Sequence, residues 1–309
     1  VIRVGVDIGG TKTHAVAVAD DGTLLASRVR PTVRGARGVL DTAVRAVADV
    51  VGPGVPDSVG VGIPGAVDAA TGTVRTAVNL DLDALPLGAE LGRRTGVPVR
   101  VENDVKASAL GAAQRFGGTG GTGGTLTYLN VGTGVGAATV LHGALLRGTT
   151  GWAGELGHLV VEPGGPVCGC GQRGCLEAVV GGGALRRRLA ALVPPVALPD
   201  LCTAADPEGR LAPERDRVAG ALAQACTAAA LAYDPDVIAV GGGVVEHGTG
   251  LLDRVLDTLR SRAGASAFLT DLAIDRRVRA VPEDWPVAAL GAALVGALPP
   301  EPVAGALAG

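Results

Sequence analysis

Two stretches of this chain repeat one pattern: an apolar strand, a turn of glycine and threonine, a second strand, a polar turn and a third strand. In the first, Val4, Val6 and Ile8 alternate with other residues and lead into Gly9-Gly10-Thr11. His14 to Ala19 is small and β-branched, and Asp20-Asp21-Gly22 turns the chain into Leu24 to Val29. In the second, Leu126, Tyr128 and Leu129 lead into Gly132-Thr133-Gly134, Gly136 to Leu141 follows, and His142-Gly143 turns the chain into Ala144 to Leu146. Setting Asp7 against Asn130 aligns the two glycine turns and, after a short gap, Leu24-Leu25 with Leu145-Leu146. The chain reads as an internal duplication with two similar halves.

Between and after the copies, strands alternate with helices, which is the α/β pattern. Leu40, Val44, Val47 and Val51 mark a helical face, Val59 to Ile63 and Val97 to Val101 are strands, and Glu102-Asn103-Asp104 opens a helix that runs to about Phe116. Arg215 to Tyr233 and Val287 to Leu298 are further helices, and Asp236 to Val240 is a buried strand running into Gly241-Gly242-Gly243. The expected domains are a smaller N-terminal lobe, residues 1–116, on which a C-terminal helical segment, 287–309, packs back, and a larger lobe, 117–286. Gly117-Gly118 and the Thr/Gly tract to Gly124 read as the linker between them.

Composition narrows the function. With 47% hydrophobic residues the chain buries a core, and its 50 glycines, which show no G-X-Y period, belong to turns and close approaches rather than to low complexity. Lys and Arg (27) do not exceed Asp and Glu (30), and aromatics are only 2%, so neither a basic face nor stacking platforms mark a nucleic-acid partner. No apolar run approaches the ~18 residues of a membrane span, and the strand-like N-terminus lacks a leader pattern. A cytoplasmic protein is expected.

Glycine turns after buried strands expose successive N–H groups that can cradle phosphate oxygens. Gly9-Gly10-Thr11-Lys12, Gly132-Thr133-Gly134 and Gly241-Gly242-Gly243 are three such turns, and a matched pair describes a nucleotide clamp between lobes. Asp7 is a carboxylate placed to hold Mg²⁺ directly or through water, and Lys12, one of two lysines in the chain, is placed for phosphate. Gly132 to Ala137 also fits the G-x-G-x-x-A form of a dinucleotide fingerprint with Glu155 downstream. That motif needs a helix at the glycines, whereas Ala138 to Gly143 reads as a strand and a hairpin turn, so we reject it. His158 with Cys168, Cys170 and Cys175 can close a tetrahedral zinc site, structural rather than catalytic, while Cys202 and Cys226 read as core residues.

Together these motifs make the chain resemble the ROK family of bacterial sugar kinases, within the actin-like and hexokinase-like superfamily, over nearly its whole length. The resemblance implies a two-lobed actin-like ATPase (ribonuclease H-like) α/β fold with a duplicated βββαβαβα core and a zinc-binding loop. It implies Asp104 as general base, with Gly65, Asn103, Glu155, His158 and Glu177 as sugar-binding residues, His158 serving zinc through its other ring nitrogen. It further implies ATP and Mg²⁺ beside the zinc, transfer to the 6-hydroxyl of glucose or a close analogue with closure of the lobes, and a homodimer or homotetramer. Two departures stand out. Lys106 replaces a small or amide residue, leaving open a place near the phosphate or on the helix surface, and Ala137-Ala138 replace part of a commoner glycine run. An amino or N-acetyl hexose is the alternative substrate. A sugar-responsive regulator with an N-terminal DNA-binding domain is not expected, because the first strand starts at residue 1, and a non-catalytic sugar sensor is a weaker reading against the intact Asp104 and phosphate loops.

Overall fold

Val4, Val6 and Ile8 are fully buried, so the strand that carries them runs through the middle of a sheet. In a computed structural model, which describes residues 1–117, 124–203, 209–246 and 250–298, this strand is β1 (Ile2–Ile8). Residues 118–123 of the expected linker and 299–309 of the expected returning segment lie outside the described residues. Next come β2 (Lys12–Ala19), β3 (Leu24–Pro31), α1 (Ala36–Val51) and β4 (Ser58–Ile63). A small antiparallel sheet follows, formed by β5 (Ala66–Asp68), β6 (Thr73–Ala77) and β7 (Leu82–Leu85). After it come α2 (Leu87–Thr95), β8 (Val99–Asn103) and α3 (Asp104–Phe116).

The second copy gives β9 (Thr125–Val131), β10 (Val135–Leu141) and β11 (Ala144–Leu145). A long loop and four helices follow: α4 (Leu176–Val180), α5 (Gly182–Ala190), α6 (Leu198–Cys202) and α7 (Ala212–Tyr233). The chain closes with β12 (Val237–Gly241), α8 (Gly250–Gly264), α9 (Ala267–Leu272), β13 (Val278–Ala280) and α10 (Val287–Ala297).

The two main sheets have one topology. Their orders are β3-β2-β1-β4-β8 and β11-β10-β9-β12-β13, each with two antiparallel pairings followed by two parallel ones. Asp7 lies opposite His14 and Gly62, and Asn130 opposite Gly136 and Gly241, so the alignment of Asp7 with Asn130 holds at the level of register. This is the duplicated actin-like core. Gly132 to Ala137 runs into strand β10 and not a helix, so it is no dinucleotide fingerprint.

Contacts divide the chain into two units, Val1–Arg115 with the segment that begins at Pro286, and Phe116–Trp285. The first has a core of Val, Leu, Ile and Ala around β1, β4 and α1, and the second a core around α4 to α8 and β12. The helix α10, last in the second copy, packs on the first unit against β1, β4 and α3. Its small residues let it lie flush. A Cβ at Gly5 would overlap the Ala289 carbonyl oxygen, one at Gly60 that of Ala292, and one at Gly291 that of Ala107.

This close seat yields a stability prediction. Gly60→Ala should lower unfolding free energy by about 1–3 kcal/mol or more, because backbone cannot yield as a side chain can. Gly264→Ala, where a Cβ meets nothing within 4 Å, is the control and should change it little. Urea denaturation decides, and equal midpoints for the two variants would contradict the packing described.

Candidate active site

In the first unit the chemistry-bearing residues gather where β1, β4 and β8 end. Asp7 is the next-to-last residue of β1, Gly65 follows β4, and Asn103 and Asp104 form the junction of β8 with α3. Gly65 adopts φ 100°, and a Cβ there would overlap the Thr76 carbonyl oxygen, so no other residue fits. The Asn103 side chain caps α3: its Oδ1 accepts from the N–H groups of Val105 (3.0 Å) and Lys106 (3.2 Å). Its Nδ2 donates to the Gly65 carbonyl at 3.3 Å, tying the two positions together. Asp104 is the first helical residue, and one of its oxygens accepts from the Val105 N–H at 3.0 Å.

Electrostatics link Asp104 to Asp7. Burial, then the charge of Asp104, push the Asp7 carboxyl up to about 7, against the opposing pull of Lys12. A carboxylate in that condition is short of positive charge, which fits a bound divalent cation. Beside it, the turn Gly9-Gly10-Thr11 is shaped by a Gly9 N–H to Lys12 carbonyl bond of 2.9 Å. Lys12 itself begins β2, paired with Pro31, rather than lying within the loop, and its side chain is exposed. A helical turn at Val78–Leu80 backs the glycines, with the Asn79 carbonyl 3.2 Å from a Cβ placed on Gly10. Lys106 is buried, so it is not a surface lysine of α3.

In the second unit, Gly132-Thr133-Gly134 joins β9 to β10. Its carbonyls are held by the start of α5: the Gly182 N–H donates to the Gly132 carbonyl (2.8 Å) and the Gly183 N–H to that of Thr133 (3.1 Å). Asn130 stands between this turn and Gly241-Gly242-Gly243. Its Oδ1 accepts from the Tyr128 hydroxyl at 3.3 Å and lies 2.7 Å from a Cβ built on Gly242, whose φ is 98°.

The loop after β11 carries the remaining groups. Gly154 and Gly157 lay it flush on β10, since Cβ atoms there would overlap the carbonyl oxygens of Ala137 and Val135. Glu155, between them, is exposed, and its carboxylate makes no hydrogen bond among the described residues. The ligand atoms of His158, Cys168, Cys170 and Cys175 all lie within 4.8 Å of one another. Three thiols and an imidazole at that spacing suit a closed tetrahedral zinc site. Hydrogen bonds from Gln172 pull the Cys170 thiol down to about 6, while burial pushes Cys175 up to about 12. Cys202 and Cys226 are buried elsewhere in the core.

The sequence matches the ROK family over residues 3–294. The chain belongs to the ROK family. A glucokinase of Thermotoga maritima is 37% identical over 264 residues, 79% of this chain and 83% of that protein. The crystal structure of a ROK family glucokinase from Streptomyces griseus, in complex with glucose and AMPPNP, superposes with a TM-score of 0.77 at 30% identity, covering 96% of this chain and 99% of that one. An N-acetylmannosamine kinase of Vibrio vulnificus is 32% identical over 210 residues, 67% of this chain and 68% of that protein.

Within this ROK chain, the first unit brings Asp7, Lys12 and Asp104 into electrostatic reach and ties Asn103 to Gly65. The second gathers the four zinc-site residues and places Glu177, on α4, with one oxygen 3.0 Å from the Val135 N–H. Asn103 caps the helix, which leaves Asp104 inside its first turn. Sequence reasoning missed the clasp that Gly182 and Gly183 form on the second glycine turn, although the run Gly181 to Gly183 is visible in the sequence.

Protein purified without chelator should carry about one zinc per chain by elemental analysis, and Cys175→Ser should lose most of it; a zinc-free native protein would contradict the cluster assignment. Because the folded chain holds the Asp7 proton up to about pH 7, ionising it costs stability as pH rises from the ordinary carboxylate range. In buffer without Mg²⁺ or nucleotide, Asp7→Asn should therefore be more stable than wild type at about pH 8, with the gap closing toward about pH 4. A gap independent of pH in urea denaturation would contradict it.

Proposed function

We propose that this chain transfers the γ-phosphoryl group of ATP to the 6-hydroxyl of a hexose, glucose or a close analogue, with Asp104 as the general base. The observation that carries the reading is the pair of carboxylates, Asp7 and Asp104, at the strand ends beside a glycine turn in a ROK chain similar to glucokinases. Phosphoryl transfer needs positioning and charge neutralisation more than covalent chemistry. Gly9 to Thr11 and Gly132 to Gly134, with Lys12, are assigned to the phosphates, the N–H groups of Gly10, Thr11, Thr133 and Gly134 as donors while those of Gly9 and Gly132 close the turns on the carbonyls of Lys12 and Gly134, and Gly241 to Gly243 are assigned to the adenosine side. Asp7 would hold Mg²⁺, which supplies neutralisation of charge on the phosphate oxygens.

A sugar presents hydroxyls that donate and accept, so acids, an amide and an imidazole are matching partners. Gly65, Asn103, Glu155, His158 and Glu177 are assigned to those hydroxyls. The Nδ1 of His158 lies 3.7 Å from the Cys168 sulfur, on the side of the thiol cluster, which leaves Nε2 for the sugar. Asp104 accepts the proton of the attacking hydroxyl as the hydroxyl oxygen bonds to the γ-phosphorus and the bond from phosphorus to the bridging oxygen breaks, ADP leaving with the electron pair. An amino or N-acetyl hexose is the second reading, supported by the similarity to an N-acetylmannosamine kinase. ATP as donor and cysteines that form no disulfide fit a cytoplasmic setting, and no helix among the described residues is long and apolar enough to cross a membrane. On the family resemblance we also propose a homodimer or homotetramer, which light scattering of the purified protein tests.

With ATP, Mg²⁺ and a panel of glucose, mannose and their amino and N-acetyl derivatives, sugar-dependent ADP release is expected, with highest kcat/KM for glucose or a close analogue. Asp104→Ala should lower kcat by about 10³-fold while leaving fold and zinc content unchanged. No release with any sugar would overturn the kinase reading, and a fully active Asp104→Ala variant would overturn the choice of base.

A further inference from the structure

Glu177 lies between two parts of the second unit that have different tasks. One carboxylate oxygen accepts from the Val135 N–H at 3.0 Å and occupies the space that a Cβ on Gly134 would need. The other lies 4.0 Å from the sulfur of Cys168 in the zinc-site cluster. The backbone after Glu177 completes a clasp: its own carbonyl accepts from the Gly181 N–H at 2.9 Å, and Gly182 and Gly183 then donate to the carbonyls of Gly132 and Thr133. The second glycine turn is thus gripped at both ends by one short stretch, Glu177 to Gly183.

We propose that Glu177 is a positioning residue for nucleotide binding, in addition to its assignment to the sugar; this rests on the kinase reading above. With the carbonyls of Gly132 and Thr133 engaged by α5 and the Val135 amide by Glu177, the turn has one backbone orientation. The amides of Thr133 and Gly134, which have no partner among the described residues, are left for an outside acceptor. An amide turn fixed before the phosphate arrives loses less conformational freedom on binding, which raises affinity without any new contact. A charged acceptor is well suited to hold a backbone N–H. The zinc loop and the phosphate turn are therefore joined through one side chain.

The test is calorimetric titration of Mg²⁺ and AMPPNP into the zinc-loaded protein without sugar. Glu177→Ala should raise Kd by about five- to tenfold, the effect of one lost hydrogen bond that oriented the turn. Glu177→Gln keeps an acceptor oxygen at the same reach, and its Kd should stay within about twofold of wild type. Gly134 has no positive φ, so Gly134→Ala is tolerated by the backbone while its Cβ displaces the carboxylate. It should weaken AMPPNP binding in the wild-type background and add nothing to Glu177→Ala. It also tests the idea if Glu177→Ala does not fold. An unchanged Kd in both Glu177→Ala and Gly134→Ala, with only sugar KM altered, would overturn this inference alone. A wild-type protein that binds no AMPPNP would overturn it together with the ATP assignment.

Discussion

The flush seat of α10 on β1, β4 and α3 is the contact on which the first half of the site depends. Side chains normally hold a helix about 10 Å from a sheet, but Gly5, Gly60, Gly111 and Gly291 bring backbone against backbone here. The strands that end in Asp7 and at Gly65, and the helix that opens with Asp104, are the elements pressed together. Any shift of α10 would move the two carboxylates relative to each other, so the packing that stabilises the unit also sets its electrostatics.

The duplicated sheets divide the work unequally. At one register position the first copy places Asp7, whose ionisation is opposed by burial and by Asp104; the second places neutral Asn130, held by Tyr128 against Gly242. Charge that can hold a cation stays with the copy that carries the proposed base, and the other copy uses its equivalent side chain to brace two glycine turns. An anionic phosphate gains little from a second carboxylate nearby, and a neutral amide supplies the same geometry without repulsion.

Much of this was readable beforehand because the signals were local. Strand alternation, glycine turns and the Cys168, Cys170, Cys175 run depend on neighbours in sequence, and the repeat forecast the matching sheet orders. What escaped was long-range. Nothing in the sequence says that Asn103 reaches Gly65, that Glu177 turns toward Val135, or that Lys106 is buried, since each depends on which elements pack together. The glycines before Lys12 read as a loop, yet pairing with Pro31 draws Lys12 into β2. The glycines of α10 and its partners were legible only as composition, because close approach between segments leaves no periodic trace.

Both glycine turns are proposed to hold nucleotide phosphates. Amide hydrogen exchange with and without Mg²⁺ and AMPPNP reports on each turn separately. Exchange should slow at Gly10 and Thr11 and also at Thr133 and Gly134 in the same titration. Protection confined to one turn, or to neither, would contradict it.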